Sequence, residues 1–325
     1  MLFLCITRKK NFDFFMIEKL IYLESVDLVE FMGVKNAKLD LIKANFPKLK
    51  IVARGNWLKA MGDAEEVADF EEKINQLLEH YERFNVLKED VINDIMKGHT
   101  VVQQESAEDT ILFGVNGKPI KARTENQRKL VEAYSKNDLM FAVGPAGSGK
   151  TYTAIALAVK ALKSRVVRRI ILSRPAVEAG EKLGFLPGDM KEKIDPYLQP
   201  LYDALQDMIP AVKLKEYMEN GTIQIAPLAY MRGRTLNNAF VILDEAQNTT
   251  TNQLKMFLTR MGTSAKFVVT GDITQIDLPN PMTSGLVQAM RILKGIKGIE
   301  RVKFSVKDIV RHRLVQDIVE AYEKE

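Results

Sequence analysis

Apolar positions along this chain alternate between a period near two and a period near 3.6, and the changes of period mark its organisation. Residues 19–23, KLIYL, read as a short strand. The stretch LVEFMGVKNAKLDLIKANF that follows has helical spacing broken at Gly33, which predicts a short helix, a turn and a second helix stopped by Pro47. KLKIVARGNWLKAMG predicts two short strands turning at Gly55-Asn56. Over 64–84, Val67, Phe70, Ile74, Leu77, Leu78 and Tyr81 fall on one face, so a long amphipathic helix is expected. FNVLKEDVINDIMKG predicts one more helix, and ILFGVNGKPIKAR a hairpin with a two-residue turn at Asn116-Gly117.

From residue 123 the pattern changes again. A helix over about 125–136 leads to an apolar strand, Leu139–Val143, and then to an alanine-rich helix over 151–162. Further apolar strands are expected at Arg169–Ser173, Ile223–Ala226, Ala239–Asp244, Ala265–Thr270 and 301–304. Helices at 252–261, 284–293 and 312–323 complete the pattern. Continuous apolar strands alternating with helices imply a mostly parallel sheet covered on both faces. The chain divides accordingly into a disordered leader (1–16), a small α/β module (17–97), a connector with the hairpin (98–122) and an α/β core (123–325). Residues 1–15 carry their charges after a short apolar run, which is not the order of a secretory signal, and a start at Met16 is an open alternative.

Composition adds modest constraints. The formal charge is +5 over 325 residues, compatible with a polyanionic partner without requiring one. Cations gather at Lys35, Lys38, Lys43, Lys48, Lys50, Arg54 and Lys59, and again at Lys160, Lys163, Arg165, Arg168 and Arg169. A single cysteine, Cys5, excludes an internal disulfide and a cysteine-built zinc site. With no apolar run long enough to span a bilayer, no membrane association is expected and the cytoplasm is the default compartment.

Candidate chemistry lies at two motifs. Residues 144–151, GPAGSGKT, form a complete phosphate-binding loop between an apolar strand and a helix. Gly144, Gly147 and Gly149 permit the tight turn, with Pro145, Ala146 and Ser148 completing the wrap of backbone N–H groups around phosphate oxygens. Lys150 is expected to reach the β- and γ-phosphates and Thr151 to hold Mg²⁺. Residues 240–247, FVILDEAQ, are an apolar strand ending in two acids. Asp244 is the second candidate Mg²⁺ ligand, through water, and Glu245 the group that orients the attacking water. Gln275, in VVTGDITQID, is the candidate sensor of the γ-phosphate, and Asp272 is expected to hold that loop together.

Gln127 lies seventeen residues before the loop and offers an amide to an adenine edge, which favours ATP. Arg174 is a candidate phosphate contact. Arg232 and Arg234 suit either a polynucleotide backbone or local salt bridges. Arg311 and Arg313 are candidates for a finger on a neighbouring subunit's γ-phosphate, because one triphosphatase core leaves a composite site incomplete. That favours a homo-oligomer, a hexameric ring being one form.

Two resemblances follow from these residues. The order strand, helices, strand pair, helix in the first module resembles a KH-like nucleic-acid-binding domain, with Met32-Gly33-Val34-Lys35-Asn36 or the Gly55-Asn56 turn in place of a full G-x-x-G loop. A protein-contact or structural module is the alternative. GPAGSGKT, SRPAVEAGEKLGFLPGDMKEKIDPYLQPLYD, VILDEAQNTTTNQLKMFLTRMG, KFVVTGDITQIDLP and DIVRHRLVQDIV resemble the PhoH-like family over about residues 110–323. The resemblance implies a P-loop core of RecA-like type and ATP hydrolysis at Lys150, Thr151, Asp244 and Glu245. It also implies single-stranded RNA as a partner. Unwinding by an oligomer, or nucleotide-gated scaffolding, are the alternatives; nuclease activity is not implied. Arg313 departs from the family pattern, which has proline after the histidine, so Arg311 is the finger candidate.

Overall fold

The computed structural model describes residues 16–23, 26–99, 109–175 and 190–309, with the side chains of 190–196 and 282 outside the description. The chain divides into two compact units, residues 1–82 with 86–103, and residues 83–85 with 104–325.

The first unit runs β1 (Met16–Tyr22), α1 (Leu28–Met32), α2 (Ala37–Ala44), β2 (Lys50–Arg54), β3 (Trp57–Asp63), α3 (Ala64–Phe84) and α4 (Glu89–Met96). The strands form an antiparallel sheet in the order β1-β3-β2. Asp27 caps α1, its carboxylate accepting from the N–H groups of Val29 and Glu30. Gly33 at φ 81°, then Lys35 and Asn36 at φ 55° and 65°, turn the chain between α1 and α2. A β-carbon at Gly33 would meet Lys38 N at 2.8 Å, so both the backbone angle and the close approach require glycine there. Phe31, Leu39, Ile42, Leu58, Phe70, Ile74 and Leu77 make the core, as the helical spacing of α3 predicts. Much of the basic cluster is paired locally: Lys38 with Glu30, Lys43 with Asp40, Lys48 with Glu66 and Lys59 with Glu18.

The second unit opens with a hairpin, β4 (Thr110–Phe113) and β5 (Pro119–Lys121). Its connection is not the two-residue turn expected. Gly114–Lys118 intervene, with the N–H of Lys118 bonded to Val115 O and that of Gly114 to Lys118 O. Asn116 and Gly117 both adopt positive φ, 56° and 68°, but within a single turn of 3-10 helix rather than as a bare reversal.

There follow α5 (Glu125–Lys136), β6 (Leu139–Val143), α6 (Lys150–Lys163), β7 (Arg169–Arg174), α7 (Met190–Met208), α8 (Ala211–Glu219), β8 (Ile223–Pro227) and β9 (Ala239–Leu243). Then come α9 (Thr251–Leu258), β10 (Lys266–Gly271), α10 (Gly285–Ile292) and β11 (Ile299–Lys303). Among the described residues the large sheet has six strands in the order β11-β6-β10-β9-β7-β8, every pairing parallel. This is the parallel α/β core that the alternation of strands and helices predicts, and it agrees with the P-loop core that the resemblance implies.

Residues of β6 and β9 are buried without exception, since helices cover both faces. Met140, Ala142, Phe240, Ile242 and Val268 join α6 and α7 in one core. Phe141, Val143, Val241, Leu243, Phe267 and Val269 join α9 and α10 in the other. The period of two along each strand thus sorts its side chains between the layers. No helix among the described residues is long and apolar enough to cross a membrane. The expected helix at 312–323, with Arg311 and Arg313, lies outside the described residues.

Asp308 ties the start of α5 to the end of the sheet. Burial alone raises its carboxyl, but hydrogen bonds from Thr124, the Ser305 N–H, Asn126 and the Ser305 hydroxyl outweigh it and lower it to about 2. A depressed carboxyl contributes stability present above its unfolded value near 3.8 and lost as pH falls through about 2. The contribution is on the order of 2 kcal/mol at neutral pH. Chemical denaturation of wild type and Asp308→Asn should therefore differ most above pH 4, and the gap should shrink towards pH 2. A gap independent of pH would show that the charge of Asp308 contributes nothing.

Candidate nucleotide-binding site

The phosphate loop connects the end of β6 to the start of α6. Gly144 donates its N–H to Gly271 O at 3.1 Å, and a β-carbon there would meet Phe304 O at 2.5 Å, so the loop closes against two neighbouring strands only with glycine. Gly147 and Gly149 both stand at φ 79°. Ala146 N–H donates to Asp272 Oδ2 at 3.1 Å, and Ser148 Oγ donates to Pro145 O at 2.8 Å. Lys150 is 7% exposed and folds back over the loop, its Nζ donating to Pro145 O at 3.2 Å. The first turn of α6 carries no acidic residue and no side-chain cap, which leaves its N–H groups and the positive end of its dipole for an anion.

Thr151, one residue into α6, meets the end of β9. Its Oγ1 donates to Asp244 Oδ1 at 2.6 Å. Asp244 is 1% exposed and lies just past the strand, which ends at Leu243, one residue short of the expected limit. Thr270, at the end of β10, donates to the same Oδ1 at 2.6 Å. Sequence reasoning missed Thr270 as a partner of Asp244. The parallel pairing of β9 and β10 in register is what sets the two side by side, and that pairing is not encoded locally.

Glu245 has φ 53° and ψ 39°, a left-handed conformation that costs a non-glycine residue roughly 1 kcal/mol. Its Oε2 accepts from Gln247 Nε2 at 2.6 Å, while Gln247 Oε1 accepts from Asp272 N–H at 3.0 Å. Gln247 is 1% exposed. Asp272 completes the chain through Ala146 N–H and through the N–H and hydroxyl of Thr274. The expected water-orienting acid, the loop after β10 and the phosphate loop are thus joined by one line of hydrogen bonds. Gln275 sits on that post-β10 loop with its side chain exposed and its N–H on Asp272 O at 3.1 Å.

Gln127 needs a correction. Its amide faces protein rather than an open base pocket: Oε1 accepts from Arg123 N–H at 2.7 Å and Nε2 donates to Ser148 O at 3.0 Å. A β-carbon on Gly149 would meet Nε2 at 2.7 Å. Gln127 is buried, and in this arrangement it braces the phosphate loop from α5, because that is where the loop's outward carbonyl finds a donor. Arg234 turns to Gln224 Oε1 at 2.8 Å, a local contact, and Arg232 is exposed. Arg174 is not free either. Its Nε and Nη2 donate to Asp244 Oδ2 at 3.1 and 2.7 Å.

The residues fit a nucleoside triphosphate with Mg²⁺. Glycines at 147 and 149 hold the loop at positive φ, Gly144 packs against Phe304 with no room for a β-carbon, and the uncapped helix end offers N–H donors. A hydroxyl and a buried carboxylate meet where the metal would sit, the hard oxygen donors that Mg²⁺ prefers. Ser173 Oγ, buried at the same edge of the sheet, has no hydrogen-bond partner among the described residues.

Comparison with known proteins agrees with this arrangement. The family model described as PhoH-like protein matches residues 119–323. A PhoH-like protein of Bacillus subtilis is 47% identical over 303 residues, 92% of this chain and 95% of that protein. One from Mycobacterium tuberculosis is 50% identical over 272 residues, 83% of this chain and 77% of that protein. Among solved structures, a Pif1 helicase from Candida albicans aligns over 62% of this chain and 43% of that one, at 12% identity and a TM-score of 0.33, too slight a likeness to add to the topology above. With a match over most of its length and the loop, acid and glutamine motifs in one site, this chain belongs to the PhoH-like protein family.

Proposed function

We propose that this protein is a cytoplasmic, Mg²⁺-dependent ATPase that couples hydrolysis to binding or remodelling of single-stranded RNA. The observation that carries the hydrolytic part is the Thr151–Asp244 contact with Glu245 directly beside it, at the mouth of a formed phosphate loop. Lys150 and the loop N–H groups bind the phosphates. Thr151 and Asp244 hold the metal, which when bound neutralises charge on the phosphate oxygens. Glu245 orients a water and takes its proton at the carboxylate. Gln247 fixes the direction of that carboxylate, and Gln275, exposed on the loop after β10, senses the terminal phosphate.

The RNA part rests on the first unit. Its strand-helix-helix-strand-strand-helix order and the exposed Val34-Lys35-Asn36 turn, left-handed at Lys35 and Asn36, suit contact with a nucleic-acid backbone. Association into a homo-oligomer, with Arg311 reaching a neighbour's nucleotide, belongs to the same proposal.

The test is phosphate release by the purified chain, alone and with single-stranded RNA, double-stranded RNA or DNA. Single-stranded RNA should raise the rate about tenfold, and rising salt should remove the effect as phosphate contacts are screened. Equal rates with every nucleic acid would sink the RNA coupling and leave the ATPase intact. No hydrolysis under any condition would sink the ATPase itself.

A further inference from the structure

The guanidinium of Arg174, at the end of β7, lies against both acids of the site. Nε and Nη2 reach Asp244 Oδ2 at 3.1 and 2.7 Å, and Nη2 is 3.6 Å from Glu245 Oε1. Nη1 donates to Tyr197 O, on α7, at 2.5 Å. The hydroxyls of Thr151 and Thr270 fill the other oxygen of Asp244. The Asp244 side chain is 2% exposed and that of Arg174 18%. A carboxylate this deeply buried needs a cation beside it, since an unpaired buried charge is strongly destabilising. In this structure Arg174 is that cation.

Asp244 is also the carboxylate at which Mg²⁺ is to be held. A divalent ion and a guanidinium cannot both lie close against one carboxylate without strong mutual repulsion. With Mg²⁺ bound there, Arg174 would pair with Asp244 more weakly, and its guanidinium would need another anion. The nearest one the reaction supplies is the terminal phosphate, which must lie beside Glu245 for that acid to direct water at it. A planar fork of donors suits phosphate oxygens as well as it suits carboxylate.

We propose that Arg174 is a placeholder counter-ion, which yields Asp244 to Mg²⁺ and passes to the terminal phosphate of the bound nucleotide. It is then an arginine supplied in cis, from the same chain as the phosphate loop. The inference rests on the ATPase reading above, and it makes two changes in one step. Metal binding loses a competitor, and the triphosphate gains a contact that the diphosphate lacks. The Tyr197 carbonyl gives up its donor in the same movement, which carries the exchange to α7.

The experiment measures binding rather than turnover, with the full-length chain. A fluorescent non-hydrolysable ATP analogue and fluorescent ADP are titrated against wild type, Arg174→Ala and Arg174→Lys, across a range of Mg²⁺ concentrations. Wild type should prefer the triphosphate. In Arg174→Ala that preference should fall about tenfold. The Mg²⁺ concentration at half-saturation should fall several-fold as well. Arg174→Lys retains a cation and lies between them, which keeps the comparison interpretable if the alanine variant does not fold. A triphosphate preference unchanged within twofold in the variants overturns the inference, even where the Mg²⁺ midpoint moves. Wild type binding neither nucleotide overturns the ATPase reading instead.

Discussion

Glu245→Gln will bind ATP about as tightly as wild type and hydrolyse it about 10³-fold more slowly, within the usual range for losing a positioned general base. The change keeps shape and hydrogen-bonding capacity but removes the proton acceptor. Gln247 donates to Glu245 Oε2, and Arg174 stands 3.6 Å from the other oxygen, so the carboxylate is aimed before substrate arrives. Its left-handed backbone leads directly from the strand end into the 3-10 turn Ala246–Asn248 that carries Gln247. Single-turnover phosphate release with a separate nucleotide titration will distinguish loss of chemistry from loss of binding. Turnover within a few-fold of wild type would remove Glu245 from the reaction.

Phe267→Ala will cost about 3–5 kcal/mol, the range for emptying a fully buried aromatic site. Phe267 is 0% exposed on β10, which lies between β6 and β9, and its ring meets that of Phe257 on α9 at 5.1 Å between centroids. No neighbouring strand can close the gap, because β10 is hydrogen-bonded on both sides. The melting temperature of the second unit should fall by roughly 10 °C. Nucleotide binding should weaken as well, because the same strand delivers Thr270 to Asp244 and leads directly into Asp272. A loss below 1 kcal/mol by calorimetry would mean that the core repacks around the cavity.

The two motifs were legible for a common reason. A phosphate loop needs its glycines, lysine and threonine within eight consecutive residues, since they follow one turn of backbone into one helix. Asp244 and Glu245 are likewise adjacent at the end of one strand. The core strands and the helices α5, α6, α9 and α10 follow from period alone, to within one or two residues at most ends, whereas α7 and α8 do not; the glycines and prolines of 172–205 read as loop. The hairpin turn was misjudged because Asn-Gly accepts positive φ in several kinds of turn, and the hydrogen bonds of Val115 and Lys118 decide which one forms. Gln127 was assigned to the base because an amide in a helix gives no sign of which neighbour it will meet. The carbonyl of Ser148 is that neighbour, and it is set by how α5 packs on the loop.

By itself the sequence determined an α/β core with a phosphate loop, an aspartate and a glutamate side by side at a strand end, and a separate small α/β unit. These are properties of short stretches, carried by spacing and by backbone freedom. The tertiary structure decided which side chains share the site across long separations. Arg174 meets Asp244 seventy residues away, and Gln247 meets Asp272 twenty-five residues away. Those meetings depend on the strand order β6-β10-β9-β7, which aligns the carboxyl ends of four strands along one edge. Strand order is selected by packing of both sheet faces at once, and no single segment of the chain contains that information.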